Sequence, residues 1–533
     1  MRSFSARLGL SAESAWLALL ALLAITPVWL STLPVGTDVP QHAAQIQLLL
    51  DHLSTHTWTS AGIYLDLFTP YLLTYFVGAL LATVVGTLTS VKLLISLSLA
   101  GLLLATARLL KRWGGDARLT LLAMVGLYGF CYQWGFLPFN LSLVFMLLLL
   151  AEMPPSSAPR AAAPQIVLWR CVGLAFAIVL THGLTALVTA AIVLTLAIIE
   201  PQAPQRIRHY VLTMLLVLPI AVWQALADTG VQGFGNGIYL RLDPLFSHNF
   251  YYQEIASSQP HLLNGWGRLS GFFPRIVGWS DGGYALALGI ALMVMPWLFG
   301  YRLHANQSNL LVVLAILVIL LLMPSVINGS LYSAERFSLL FFCVYPLMLS
   351  KPPKTSFSLW ITLALIIGGV WLTQVDNARR HDRFLSHLVS GLNTLPPNQR
   401  ALSLSYTYQA DGFIAPVYLH SGQWYGVLKN GLVDPSFAAT DLQPLRYQKV
   451  QRPFATIGQG FDWNPRPFDW QQFQGDRYRV FIVRGSLSRF QEHTGCTPPN
   501  PLPSSSGEWF ALYLPNTESA GCGSLATALG SAP

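Results

Sequence analysis

Runs of roughly 17–25 apolar residues recur along the first two thirds of the chain, each long enough to cross a hydrocarbon core of about 30 Å. In lipid a backbone can satisfy its own polar groups only as a helix or a closed barrel. The fold class expected is therefore a polytopic α-helical membrane protein. Composition agrees, since 10% of residues are charged where a soluble chain has about a quarter. The expected spans are 15–33, 90–110, 119–137, 138–152, 165–181, 183–199, 210–227, 282–300, 308–324, 336–350 and 356–374, about eleven in all.

Charge placement orients them. With the N-terminus in the cytoplasm, the inner loops hold Arg2, Arg7, Arg108, Lys111, Arg112, Arg118, Arg160, Arg170, Arg206, Arg208, Arg302, Lys351 and Lys354. The outer loops hold only Lys92, Arg241, Arg268, Arg275 and Arg336. This asymmetry follows the positive-inside rule and places the chain in the cytoplasmic (inner) membrane. The formal charge of +8 thus comes largely from loop anchors, which argues against a nucleic-acid partner. The first span is read as an uncleaved start-transfer helix, because more spans follow it.

Three regions fall outside the membrane in this topology. The loop 34–89 follows the first span, and its apolar half, 71–87, is expected to be re-entrant or interfacial, because a full crossing would invert every later loop. The loop 228–281 carries Gly233-Phe234-Gly235-Asn236-Gly237, which lacks the context and following Lys-Ser/Thr of a phosphate loop and reads as a flexible turn. Residues 375–517 are expected to form an extracytoplasmic α/β domain beyond a transmembrane domain of 1–374. Its strands are expected near 401–406, 478–483 and 509–514, and a helix over 376–392. The tail 518–533 is expected to be disordered. Cys131, Cys171 and Cys343 lie in spans, whereas Cys496 and Cys522 share the external domain. An oxidising compartment favours a disulfide between those two.

The sharpest local feature is Gly36-Thr37-Asp38-Val39-Pro40-Gln41-His42, just outside the first span. One reading makes Asp38 a helix N-cap, with Pro40 in the first turn and Gln41 closing a capping box. The other makes Asp38 a base or electrostatic partner at a membrane-edge active site, with His42 one turn on along the same face. The local pattern leaves both open. His182, Glu335 and Arg336 fall at the same predicted outer face, where polar groups near lipid usually serve a function. For His182 the plainer alternative is a hydrogen-bonded turn histidine; for Arg336 it is an ion pair with Glu335 or snorkelling. His52 and His56 stand one turn apart, but there is no His-Glu-x-x-His or Cys-x-x-Cys, so no metal site is assigned. A divalent cation held by Asp38 and a substrate phosphate stays open.

This arrangement resembles the GT-C superfamily of membrane glycosyltransferases. The resemblance rests on the first span, the long external loop opening on Thr37-Asp38-Val39-Pro40-Gln41-His42, the membrane-edge segment 71–86, the basic turn Arg108-Leu109-Leu110-Lys111-Arg112, and the external C-terminal domain. Trp134-Gly135-Phe136-Leu137-Pro138-Phe139-Asn140, Thr181-His182-Gly183 and Glu335-Arg336-Phe337 are similar to strings in uncharacterised bacterial members. The resemblance implies a transferase that moves a sugar from a polyprenyl-phosphate donor to an extracytoplasmic glycan, lipid or protein, with the membrane lipid as its surroundings. Asp38 then corresponds to the first-loop catalytic acid. Many members have two adjacent acids there, whereas here Val39 follows Asp38. In this reading Asp38 and His42 are catalytic, Arg336 holds the donor phosphate, and His182 and Glu335 contact substrate.

Other classes remain in view. A transporter would more often show paired halves and broken helices near the midplane, and no such halves are visible. A non-catalytic envelope-assembly subunit, or a polymerase or ligase of lipid-linked polysaccharide, has the same gross features.

Overall fold

The computed structural model describes residues 12–155, 164–199, 211–217, 219, 271–323 and 326–513, the last with gaps of which 449–464 and 466–474 are the longest. Most of the expected span 210–227 and loop 228–281, the tail 518–533, and both Cys496 and Cys522 lie outside the described residues. The long helices are α1 (Ala12–Leu30), α2 (Val39–Leu53), α3 (Leu72–Val85), α4 (Thr87–Arg112), α5 (Leu137–Glu152), α6 (Pro164–Thr181), α7 (Gly183–Ile199), α8 (Gly282–Leu298), α9 (Gln307–Leu322) and α10 (Phe357–Thr394). The chain packs as two compact units. The first comprises Met1–Leu30, Leu93–Asn377 and Gly412–Ile414, the second Ser31–Lys92, Ala378–Asp411 and Ala415–Pro533.

Among the described residues, α1, α4 and α10 are long and apolar enough to cross a membrane. The 26 residues of α4 extend about 39 Å at 1.5 Å per residue. Helices α5, α7, α8 and α9 are apolar but have 16 or 17 residues, about 25 Å. The last expected span and the expected helix over 376–392 are one element, because nothing between Phe357 and Thr394 breaks it: the stretch contains no proline.

Two expected spans are not continuous helices. Segment 119–137 is a 3₁₀ turn (Ala117–Leu122) and two short helices, Ala123–Gly126 and Phe130–Trp134. Gly129 breaks it, with an extended backbone packed so closely on another segment that a Cβ would sit 2.3 Å from the Ile276 carbonyl oxygen. Segment 336–350 likewise alternates 3₁₀ and α turns, with Pro346 in the last of them. Its apolar residues reflect burial in the core, where Phe337, Leu340, Phe342 and Val344 are inaccessible. A run of buried apolar residues is thus ambiguous between a span and a packed irregular segment.

Basic residues in the first unit gather on acids. Arg108 pairs with Glu152, and Arg112 and Arg170 approach the same carboxylate at 3.8 and 3.9 Å. Glu152 is buried at the C-terminal end of α5, where converging cations offset the cost of burying its charge.

The second unit is built on a mixed sheet. The strands are β1 (Ile63–Leu65), β2 (Arg400–Ser405), β3 (Leu432–Asp434), β4 (Leu445–Tyr447), β5 (Val480–Arg484), β6 (Leu502–Pro503) and β7 (Trp509–Tyr513). Five form one sheet in the order β6-β7-β5-β2-β3. β2 runs parallel to β3 and β5, with Ala401 opposite Val480 and Ser405 opposite Arg484. β7 runs antiparallel to β5. Every residue of β5 is buried, which is why Val-Phe-Ile-Val reads as a continuous apolar run, as expected for a strand covered on both faces. β1 pairs antiparallel with β4, Tyr64 facing Arg446, and Arg446 also meets Asp66 at 3.2 Å.

The base of the sheet holds a buried polar cluster. Asp434 accepts hydrogen bonds from Arg400 (3.1 Å), Tyr447 (3.0 Å) and Tyr478 (3.1 Å). Burial tends to lower the Arg400 pKa, but Asp434 and the two tyrosines outweigh it and raise it. Burial and the nearby Asp434 charge push both phenols well up.

Candidate functional site

Helix α2 positions the first group of residues. Pro40 in its first turn has the φ a helix start requires and lacks a donor that would go unsatisfied there. Asp38 occupies the N-cap position, but its side chain makes no capping hydrogen bond. Its carboxylate instead lies 3.2 Å from Nδ1 of His420. Gln41 does not close a capping box either: its amide donates to the Pro435 carbonyl at 2.8 Å and accepts from the Phe437 N–H at 3.0 Å. The local pattern of a capped helix is thus present while its two polar side chains turn to the segment 420–437.

One turn on, the His42 N–H donates to the Asp38 carbonyl at 2.9 Å, which puts the two side chains on one helix face. His42 Nδ1 lies 2.7 Å from the Tyr75 hydroxyl, presented by α3. The ring of Phe437 meets both histidines edge-on, at 5.5 Å from His42 and 6.0 Å from His420. Gln45 follows on the same face, 2% exposed, and neither of its amide atoms has a hydrogen-bond partner among the described residues. An orphaned buried amide costs about 1–3 kcal/mol, so its retention on this face needs a reason beyond packing.

Asp38 keeps 14% of its side-chain surface exposed against 9% for His420, so one carboxylate edge remains reachable. A cavity of about 10 Å³ beside His420 is lined by Gln41, Ser403, Ser405, Gln423 and Pro435, a size that admits about one water. Gln423 donates to the Val433 and Pro435 carbonyls at 3.0 and 2.6 Å, which braces the same backbone that receives Gln41. Chemically, a reachable carboxylate backed by an imidazole can accept a proton from a hydroxyl, or hold a cationic or hydroxylated group.

Farther along α2, Asp51 is buried, and its carboxylate accepts from Thr55 and from the Trp58 N–H at 3.1 Å. Burial tends to raise its pKa, but hydrogen bonds from Thr55, Thr57 and Trp58 prevail and hold it below the usual range. His52 and His56 bring their rings within 5.9 Å. Among the described residues no three His, Cys, Asp or Glu side chains gather as a metal-binding group. A divalent ion at Asp38 would therefore draw its other ligands from substrate or water.

The remaining predicted residues belong to the first unit. His182 is buried between α6 and α7, with Nδ1 3.4 Å from the Thr185 N–H and hydroxyl, and its ring meets Phe139 edge-on at 5.1 Å. The Arg336 guanidinium lies over the Phe136 ring at 3.8 Å and reaches 6.0 Å from that of Phe139. Phe139 thus neighbours both His182 and Arg336, and it meets Phe337 at 5.2 Å. Trp134, Tyr332 and Phe130 extend this aromatic cluster. Glu335 is buried beside it in the 3₁₀ turn Glu335–Leu340.

Asp38 and His42 are therefore brought together within the second unit, and His182, Glu335 and Arg336 within the first. Sequence reasoning did not identify His420, Tyr75, Phe437 or Gln45. His420 and Phe437 reach α2 from the far end of the chain, and no spacing links them to it. Gln45 was findable, since positions 38, 41, 42 and 45 share one face at helical periodicity.

No protein-family model matches the chain, and no curated protein matches it. Among solved structures the chain is similar to ArnT from Cupriavidus metallidurans bound to undecaprenyl phosphate, with a TM-score of 0.49 and 12% identity over 94% of this chain and 98% of that one. It is likewise similar to the apo state of that protein, with a TM-score of 0.46 and 13% identity over the same shares.

Proposed function

We propose that the protein is a multi-pass membrane glycosyltransferase that moves a sugar from a polyprenyl-phosphate donor to an extracytoplasmic acceptor, with Asp38 as general base. The observation that carries this reading is the Asp38–His420 pair: a reachable carboxylate at a helix start, 3.2 Å from a buried imidazole and not consumed by helix capping. A carboxylate in this setting can take the proton of an acceptor hydroxyl as that oxygen attacks the anomeric carbon. The bond from that carbon to the phosphate oxygen breaks, and polyprenyl phosphate leaves. His420 is a positioning residue, which fixes the carboxylate behind the reaction. His42, tied to Tyr75, is assigned to the acceptor side. The proposal places the N-terminus in the cytoplasm and residues 375–517 outside. The lack of a nucleotide-binding motif supports a lipid-linked donor, since nucleotide sugars are absent outside the membrane.

Asp38→Asn provides the test. The amide keeps the size and the place of the carboxylate beside His420 but cannot accept a proton. Transfer of labelled sugar from a polyprenyl-phosphate donor pool in membranes is expected to fall by on the order of 10²–10⁴-fold, with membrane insertion unchanged. Wild-type rates from this variant, or no transfer by the wild type, would leave a non-catalytic envelope subunit or transporter as the reading.

A further inference from the structure

The first unit also holds a cavity of about 660 Å³, lined by none of the candidate site residues described above. Its walls include Trp16 from α1, Leu121, and Phe357 and Trp360 from the start of α10. Its charged rim comes from three separate segments: Lys111 at the end of α4, Arg118 in the following turn, and Lys351 before α10. A volume in the range of roughly 300–1,000 Å³ suits a bound molecule.

The charges are not all spent on one another. Lys111 reaches Glu13 at 3.2 Å, across two exposed side chains. Arg118 meets Asp116 at 2.6 Å and spreads over the Trp360 ring at 4.5 Å. Tyr301 donates to the same Asp116 at 2.8 Å, so this acid is held from two sides. Lys351 is exposed and makes no ion pair among the described residues. Three cations against two acids leave the lining one positive charge in excess. The Trp360 indole N–H is buried and has no acceptor among the described residues, and an indole nitrogen can only donate. Phe357 is 77% exposed, an apolar ring at the same rim.

From this combination we infer that the cavity binds an anionic phospholipid, with the phosphate at Lys351 and Arg118 and an acyl chain along Trp16, Leu121 and Phe357. Each part of the ligand matches something present. The excess cation takes the phosphate, the orphaned indole donor takes an ester or phosphate oxygen, and the exposed aromatic rim takes hydrocarbon. Basic pockets between membrane helices bind lipid headgroups in this manner. The inference rests on membrane insertion and not on sugar transfer.

The test uses the full chain, purified in detergent, stripped of lipid and titrated with dioleoyl phosphatidylglycerol or dioleoyl phosphatidylcholine, bound lipids being counted by native mass spectrometry. The wild type is expected to retain phosphatidylglycerol with a preference of about tenfold over phosphatidylcholine, a charge-assisted contact being the difference. Lys351→Glu is expected to abolish that preference, and Trp360→Phe to weaken phosphatidylglycerol retention while keeping the ring. Lys351 is exposed, so its substitution leaves the core intact, and an unchanged melting temperature checks this. Millimolar inorganic phosphate is expected to displace nothing. Equal retention of both lipids, an unaltered preference in Lys351→Glu, or displacement by free phosphate would each overturn the inference. Because the readout counts lipid, a wild type without transferase activity fails the earlier proposal and leaves this one standing. A chain recovered without detergent in the soluble fraction would overturn both.

Discussion

His420 Nδ1 lies 3.2 Å from the carboxylate of Asp38, and this contact joins the first turn after α1 to a segment beyond β2. The pair separates two roles that a helix-start aspartate can have. A capping carboxylate is spent on backbone N–H groups, whereas this one is not.

If His420 fixes that carboxylate, His420→Ala should lower the rate of sugar transfer by on the order of 10²-fold with little change in acceptor KM. His420→Asn, which keeps a polar group beside Asp38, should recover part of the loss. The split between kcat and KM, with partial rescue by the conservative variant, separates positioning from mere support of the fold.

If Arg336 holds the donor phosphate, as the resemblance implies, its guanidinium does so from over the Phe136 ring, 3.8 Å from its centre. Arg336→Ala should raise the donor KM, because a charge-assisted contact contributes about 1.5–3 kcal/mol. Arg336→Lys should not restore it fully, since an ammonium lacks the planar fork that stacks on the ring and meets two phosphate oxygens. A donor titration with each variant decides this. An unchanged KM in Arg336→Ala would remove Arg336 from donor binding.

Asp434 is fully buried and receives Arg400, Tyr447 and Tyr478. Asp434→Ala should destabilise the second unit by about 3–5 kcal/mol, because it strands a mostly buried guanidinium. Hydrogen exchange is the measurement. Amides in β2 and β3, which this cluster ties together, should exchange faster, with those of α4 and α5 unchanged.

Asp51 supplies a pH dependence with a defined sign. Its folded pKa is held below the usual carboxylate range by its hydrogen bonds, burial working the other way. The unfolded chain therefore binds the proton first as pH falls. The stabilisation is complete above the unfolded value of about 3.9 and is lost as pH drops through the folded value. Asp51→Asn should be less stable than wild type at neutral pH, and the gap should close below about pH 4. Urea unfolding of the two proteins at a series of pH values tests this.

Legibility in the sequence followed the range of the interaction. The helices α4, α5, α8 and α9 were readable because continuous apolar runs persist over many turns. The strands near 401–406, 478–483 and 509–514 were readable as β-rich runs, and they correspond to β2, β5 and β7. The 3₁₀ segments at 117–122 and 335–340 were not, because burial imposes apolarity on any backbone that fills a core. β3 was missed because Leu432-Val433-Asp434 is too short to show alternation. At the site, Asp38 and His42 were visible by their separation of four positions. His420 was invisible, because a contact made only by the folded chain leaves no spacing to read.

The second unit is assembled from both ends of the chain: β1 finds β4, and Gln41 finds Pro435 and Phe437. During synthesis, residues 31–92 emerge first and then wait for everything up to residue 378. At about 5–20 residues per second that delay is roughly 15–60 s. For that interval α2 must hold Gln41 without Pro435 and Phe437, and His42 without the Phe437 ring. Synthesis of this chain thus separates the halves of the second unit in time, and its amino-terminal half is made well before the residues that close over it.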